Sequence, residues 1–93
     1  MKLDKPIKLV YANTADGDGT RRTMSGVTPA TLHHMWWHDV DIPDNDATLH
    51  SAVQDGEDIL ATLGGVATFG GLMEIIGKEI FNYRVKSLVS GNA

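Results

Sequence analysis

The stretch that decides the fold is Ile7-Lys8-Leu9-Val10-Tyr11-Ala12, near the start of a chain of 93 residues. Its apolar residues at positions 7, 9 and 11 share one side of an extended segment, and this period of two predicts a β-strand. Asp16-Gly17-Asp18-Gly19 follows and predicts a turn, because glycine adopts positive φ and aspartate hydrogen-bonds to nearby backbone. A second strand over residues 21–27 then completes an N-terminal β-hairpin.

Two helices are predicted in the centre of the chain. Thr28-Pro29 provides a hydroxyl N-cap followed by proline at the first helical position, which predicts a short helix over residues 29–38. The apolar residues of 49–63 repeat at helical spacing and predict a second helix. Asp44 or Asp46 would cap its start, and Gly64 would stop it.

Residues 72–89 have two interpretations. As a hairpin, residues 72–76 and 79–89 form strands that meet at a Gly77-Lys78 turn. As a helix, the apolar residues of 72–80 also keep an acceptable spacing. The β-branched and aromatic residues of 80–89 favour the strands. The chain is therefore predicted to be a single α+β domain over residues 1–93, with an N-terminal β-hairpin, two central helices and one or two C-terminal strands forming a small sheet.

Charge is segregated along the chain. All eight lysines and arginines lie before residue 23 or after residue 77, whereas the middle holds the four histidines and most of the acidic residues. The formal net charge of −4 argues against nucleic-acid binding, which needs cations to neutralise phosphates. Four cations fall in predicted strands and would make a basic sheet face opposite acidic helices, so that copies could stack: Lys8, Arg22, Arg84 and Lys86. Alternatively, the chain is an acidic, inhibitor-like module that binds a basic site on another protein.

The most unusual local composition is Leu32-His33-His34-Met35-Trp36-Trp37-His38-Asp39. On a helix, Leu32, Met35 and Trp36 face the core, whereas Trp37 falls off that stripe. An outward tryptophan flanked by histidines is typical of a binding hot spot, and the histidines would make such an interface sensitive to pH. The predicted protein interface consists of this patch and the acidic connector that follows it: His34, Trp37, His38, Asp39, Asp41 and Asp44.

The same histidines have a second interpretation as metal ligands. His34 and His38 are four residues apart, the helical spacing at which two imidazoles share a metal ion. A third ligand would have to come from Asp41, Asp46 or His50. A solvated helix face explains the same pattern without a metal, and we predict neither a metal site nor a cofactor.

The run from Ile59 to Met73 contains no charged residue. It is shorter than the roughly 20 apolar residues that span a bilayer, so it predicts a buried core segment, with membrane insertion through residues 59–76 as the alternative. The chain has no cysteine, which excludes disulfides and thiolate chemistry. A charged, strand-like segment follows Met1 where a signal peptide would be apolar. The expected location is therefore cytoplasmic or virion-associated.

No catalytic pattern stands out in the chain. The glycine pairs are not followed by the Lys-Ser/Thr of a phosphate loop, and no serine occupies a nucleophile elbow. The prediction is a small non-enzymatic protein that acts through protein–protein contacts, including contacts with copies of itself. Structural or accessory subunits of phages and mobile elements are often of this kind.

Overall fold

In the part of the chain that the structure describes, a four-stranded antiparallel sheet carries two helices on one of its faces. The computed structural model describes residues 1–40 and 42–91, with side chains as far as Lys86. In chain order the elements are β1 (Ile7–Ala12), β2 (Arg22–Val27), α1 (Pro29–Trp37), β3 (Thr48–Gln54), β4 (Glu57–Asp58) and α2 (Phe69–Gly91). The strands lie in the order β2-β1-β3-β4. The predicted α+β class, the N-terminal hairpin and the first helix are confirmed.

The core lies between the inner face of β1 and the two helices. Ile7, Leu9 and Tyr11 are buried, as their alternation predicts, and they join Leu32 of α1 and Leu72 of α2 in one apolar cluster. Full burial of an aliphatic or aromatic side chain contributes about 1.5–3 kcal/mol relative to leaving it exposed. This cluster therefore holds the helices against the sheet.

The β1–β2 loop is ordered by its own aspartates. Both carboxylate oxygens of Asp16 accept hydrogen bonds from the Arg22 guanidinium, at 2.7 and 3.0 Å, and this lowers the pKa of the carboxyl. Asp18 Oδ1 accepts from the Thr20 hydroxyl and backbone N–H, which lowers its pKa in the same way. The predicted turn therefore uses its acidic residues to satisfy local donors.

The second central helix predicted over residues 44–63 is wrong, because β3 and β4 occupy this segment. Gln54 pairs with Glu57, so Asp55 and Gly56 form a two-residue hairpin loop. Their φ angles are 52° and 80°, as the tight turns that match strand twist require. The Asp-Gly pair thus forms a hairpin turn within the segment that was predicted to be a helix.

A β-bulge explains why the segment resembled a helix. Val10 pairs with Ser51 and Tyr11 with Leu49, which leaves His50 as an extra residue in β3. The extra residue shifts the alternation, so Leu49 and Ala52 are both buried although they are three positions apart. Three-residue spacing on one face is also a helical signal, and the local pattern was therefore ambiguous.

The predicted C-terminal strands are also wrong, and the helical interpretation of residues 72–89 is correct. α2 spans 23 residues, and its first half buries Phe69, Leu72, Met73 and Ile76. Once this half is packed, adding further helical turns costs little, because propagation is easier than nucleation. The β propensity of residues 80–89 is overridden, since propensity is a weak constraint beside packing.

Two of the basic residues that were predicted in strands lie on a helix instead. Arg84 and Lys86 lie on α2, so the predicted basic face of the sheet does not form.

The apolar run is divided between turns at residues 59–65 and the first half of α2, and its largest side chains belong to the core. Within the described residues, no helix combines the length and the apolar character needed to cross a membrane.

The start of α2 is hydrogen-bonded to the connector that follows α1. Thr68 Oγ1 accepts a hydrogen bond from the Gly71 N–H at 3.2 Å and caps the helix. The Gly70 N–H donates to the Asn45 carbonyl at 2.8 Å, and a Cβ on residue 70 would lie 3.0 Å from that oxygen. Glycine at position 70 therefore permits a close backbone approach that sets the position of α2.

Candidate groove between α1 and α2

Local capping fixes the length of α1 and the direction of its side chains. Thr28 Oγ1 accepts a hydrogen bond from the Thr31 N–H at 3.1 Å, and Pro29 occupies the first helical position. At the other end Asp39 N–H donates to the Trp36 carbonyl and Val40 N–H to the Met35 carbonyl, which is the Schellman pattern. Between these caps Leu32 faces the core.

The two adjacent tryptophans have different environments. Trp36 is half-buried against the core, and its indole N–H donates to Asn45 Oδ1 at 2.6 Å. Trp37 is 73% exposed. His34 and His38 are exposed beside it. The predicted division of α1 into a core face carrying Leu32 and an outer face carrying Trp37 is thus present in the structure.

Trp37 lines an open groove of about 1070 Å³ that runs between α1 and the second half of α2. Its apolar floor includes Leu3 and Ile80, which are half-buried against the core. Tyr83, which is 67% exposed, lines the same groove from α2. Two aromatic side chains over an aliphatic floor make a surface suited to an apolar partner.

Gln54 holds the N-terminal segment that contributes Leu3. This buried side chain accepts a hydrogen bond from the Lys2 N–H at 2.7 Å and donates to the carbonyls of Lys2 and Lys5 at 2.6 and 3.0 Å. The Leu3 carbonyl in turn accepts from the Ala30 N–H of α1. One buried amide side chain therefore holds the segment that contributes Leu3 to the floor of the groove.

His33 lies where the two helices meet. Its ring is stacked on Trp37 with centroids 6.5 Å apart, and a Cβ on Gly77 would lie only 3.0 Å from His33 Nε2. Burial lowers the pKa of His33, and the nearby charges of Arg84 and His34 lower it further. Asp4 and Glu79 also line this part of the groove. The folded structure thus favours the neutral imidazole.

This arrangement predicts that stability depends on pH through His33. The pKa of His33 is lower in the folded protein than the unfolded value of about 6.5. The neutral His33 ring therefore contributes fully to the free energy of unfolding above that pH, and this contribution is lost as the pH falls through the folded pKa. The urea midpoint should be lower below about pH 6 than above about pH 7. His33→Gln should flatten this profile and Arg84→Gln should reduce its slope. An unchanged profile in His33→Gln would contradict the assignment.

The predicted interface residues are only partly brought together. His34 and Trp37 line the groove, and Asp39 lies with Trp37 in a smaller hollow on the other side of the tryptophan. Asp44 instead accepts a hydrogen bond from the Thr14 hydroxyl at 2.9 Å, and its own N–H donates to Asn13 Oδ1. Asp44 therefore joins the connector to the β1–β2 loop and lies outside the lining of the groove. Asp41 lies outside the described residues.

Asp39, at the C-terminal end of α1, occupies a position where aspartate lowers the stability of the fold. Its φ is 55°, a conformation that suits glycine, and its carboxylate lies at the negative end of the α1 dipole. Both features cost stability at this position, and Asp39 adjoins the exposed Trp37.

Asp39→Gly should therefore stabilise the fold by about 0.5–1 kcal/mol, because it removes both penalties. The melting temperature should rise by about 2–8 °C in a calorimetric scan. Asp39→Asn is the matched control: it removes the charge but keeps a side chain that tolerates positive φ, so it should give part of the gain. A loss of stability in the glycine variant would show that the aspartate makes a stabilising contact.

The alternative prediction of a metal site is met by two neighbouring histidines but not by a third ligand among the described residues. The rings of His34 and His38 are 4.3 Å apart between centroids. In the described ranges, 1–40 and 42–91, no group of three or more histidine and acidic side chains is placed to hold a metal ion. The pair could supply two ligands, and the third that the alternative requires is not among these residues.

Tyr83, Ile80 and Leu3 were not predicted as site residues. The signal for the first two was the helical interpretation of residues 72–89, because that spacing places Ile80 and Tyr83 on the stripe of α2 that begins with Phe69 and Ile76. Leu3 had no such signal, since it precedes the first strand.

No family model matches the chain, and no curated protein or solved structure matches it either.

Proposed function

We propose that this protein is a non-enzymatic interaction module that binds a protein partner through the groove between α1 and α2. The observation that carries the proposal is Trp37, a large aromatic side chain that is 73% exposed on a helix whose opposite face is packed in the core. Exposure of this much aromatic surface is unfavourable in water unless a partner covers it. Tyr83, Ile80 and Leu3 extend the apolar surface beyond a single side chain.

The composition of the groove supports a protein as the ligand. Aromatic residues and arginine are enriched at protein interfaces, and energetic hot spots are enriched in tryptophan and tyrosine. Trp37, Tyr83 and Arg84 line the groove together with the polar side chains of His34 and Asn82. An apolar floor with a polar and charged margin is the usual anatomy of such interfaces.

Trp37→Ala tests the proposal. Loss of an interface tryptophan should weaken association by about 30-fold or more, and the free energy of unfolding should change by less than about 0.5 kcal/mol because the side chain is exposed. Self-association is measured as mass by light scattering after size exclusion. Binding of another protein is measured by immobilising this chain and capturing partners from an extract of the source cell. Tyr83→Ala should act in the same direction.

Phe81→Ala provides the matched control. Phe81 is also 67% exposed on α2, but it lines a separate shallow hollow with Gly77 and Lys78. Association should survive this change. If Trp37→Ala and Tyr83→Ala behaved like the wild type in both assays, the groove would not be the binding surface. Unfolding of Trp37→Ala would instead show that Trp37 supports the core.

A further inference from the structure

The groove face of α2 carries a charge pattern that α2 cannot neutralise by itself. Glu79, Asn82, Tyr83 and Lys86 follow one another at intervals of three, one and three residues and line the same groove. Seven residues of helix rise by about 10.5 Å, so Glu79 and Lys86 are too far apart to form an ion pair with each other. Among the described residues, neither of them takes part in an ion pair within the chain.

This pattern is complementary to itself when two helices run antiparallel. A two-fold axis between residues 82 and 83 places Glu79 of one copy opposite Lys86 of the other, and the reverse pair forms at the same time. The same axis places Asn82 opposite Tyr83. A shift by one turn in either direction loses these pairs, so the charges also define the register.

We propose that the partner in the groove is a second copy of this chain, whose α2 packs antiparallel against the first α2 across residues 79–86. This inference rests on the proposed function of the groove. The chain measures 54 × 28 × 23 Å, and its long α2 exposes Tyr83 at a face that another copy can reach. In the dimer each Tyr83 packs towards the Trp37, Ile80 and Leu3 surface of the other copy. The contact is the same patch on both copies, so it closes at two.

Charge reversal tests the geometry. Wild-type protein should show a concentration-dependent mass that approaches twice 10.1 kDa, and raised salt should weaken it by screening the ion pairs. Glu79→Lys and Lys86→Glu each place like charges opposite one another at two symmetric sites of the interface, and this repulsion should weaken association by about 30-fold in each variant. Lys78→Glu is the matched control, because Lys78 lines the separate hollow of Phe81, and it should associate like the wild type.

Mixing the two reversed variants gives the decisive result. A heterodimer of Glu79→Lys with Lys86→Glu restores opposite charges at both sites, so equimolar mixtures should recover the wild-type mass. Native mass spectrometry with one variant isotope-labelled should show the mixed species in excess of either homodimer. Failure of the mixture to recover, or wild-type association in each variant alone, would overturn the antiparallel arrangement.

The proposed dimer and the proposed function of the groove can fail independently. A wild-type chain that stays monomeric from micromolar to millimolar concentration would overturn self-association. The groove would then still be tested by capture of a foreign partner that Trp37→Ala loses. Association that resists charge reversal but is lost in Trp37→Ala would keep the groove and reject this pairing of α2 helices.

Discussion

Replacing Phe69 by alanine is expected to destabilise the fold by about 3–5 kcal/mol, the largest effect of any single substitution considered for this chain. Phe69 is fully buried at the start of α2, and its N–H donates to the Ala47 carbonyl at 3.0 Å. Truncation would remove the ring from the cluster that joins α2 to the sheet, and it would leave a cavity. Small domains are stable by only about 5–15 kcal/mol, so the variant should be close to unfolding at room temperature.

Phe81→Ala is the control for this prediction, because it makes the same chemical change in the same helix at a position that is 67% exposed. Its free energy of unfolding should change by less than about 0.5 kcal/mol. Urea denaturation followed by far-UV circular dichroism measures both variants. Equal losses at the two positions would mean that α2 is not packed through its first half.

Gln54→Met should cost about 2–4 kcal/mol, because it preserves volume but leaves three backbone groups of the N-terminal segment without their buried partner. The segment should detach, and amide exchange should accelerate at Lys2 and at Ala30, whose N–H donates to the Leu3 carbonyl. Since Leu3 forms part of the groove floor, association should weaken as well.

Lys2→Ala separates this effect from the exposed ion pair at the same joint. Lys2 Nζ lies 3.1 Å from Asp55 Oδ2, and both side chains are more than half exposed. Exposed pairs contribute little, so the control should change stability by less than about 0.5 kcal/mol. If Lys2→Ala cost as much as Gln54→Met, the N-terminal segment would be held by charge and not by the buried amide.

Phe81→Ala is the control for both the stability prediction and the binding prediction. Phe69, Phe81 and Tyr83 lie on one helix, yet only Phe69 should matter for folding and only Tyr83 for association. This separation arises because the first half of α2 is committed to the core and the second half is exposed to solvent. Such a helix has to be stabilised by its buried half alone.

The sequence predicts the structure correctly where one local rule decides it. Alternation set β1, and the Thr28-Pro29 start set α1. The predictions failed where two rules competed. The His50 bulge gave β3 a helical spacing, and the β-branched residues of 80–89 concealed the continuation of α2. Asp55-Gly56 is a local signal for the β3–β4 hairpin, and the helix predicted over this segment did not take it into account.

The candidate site was predicted in part for the same reason. The outward direction of Trp37 follows from the length and phase of a single short helix, so it could be inferred. Tyr83 depended on the state of residues 72–89, and the role of Asp44 depended on its meeting Thr14 and Asn13 in space. The position of Tyr83 was one of two interpretations of the local spacing, whereas the contacts of Asp44 have no signal in it.

The amino-acid sequence by itself determined the hairpin β1–β2, the helix α1 and the exposure of Trp37, because alternation, turn residues and capping act within a few positions. Only the tertiary structure decided that residues 48–58 pair as strands, that residues 69–91 form one helix, and that Trp37 and Tyr83 share a groove. Short apolar segments adopt whichever regular structure buries them best, and that choice depends on surfaces contributed by residues distant in the chain.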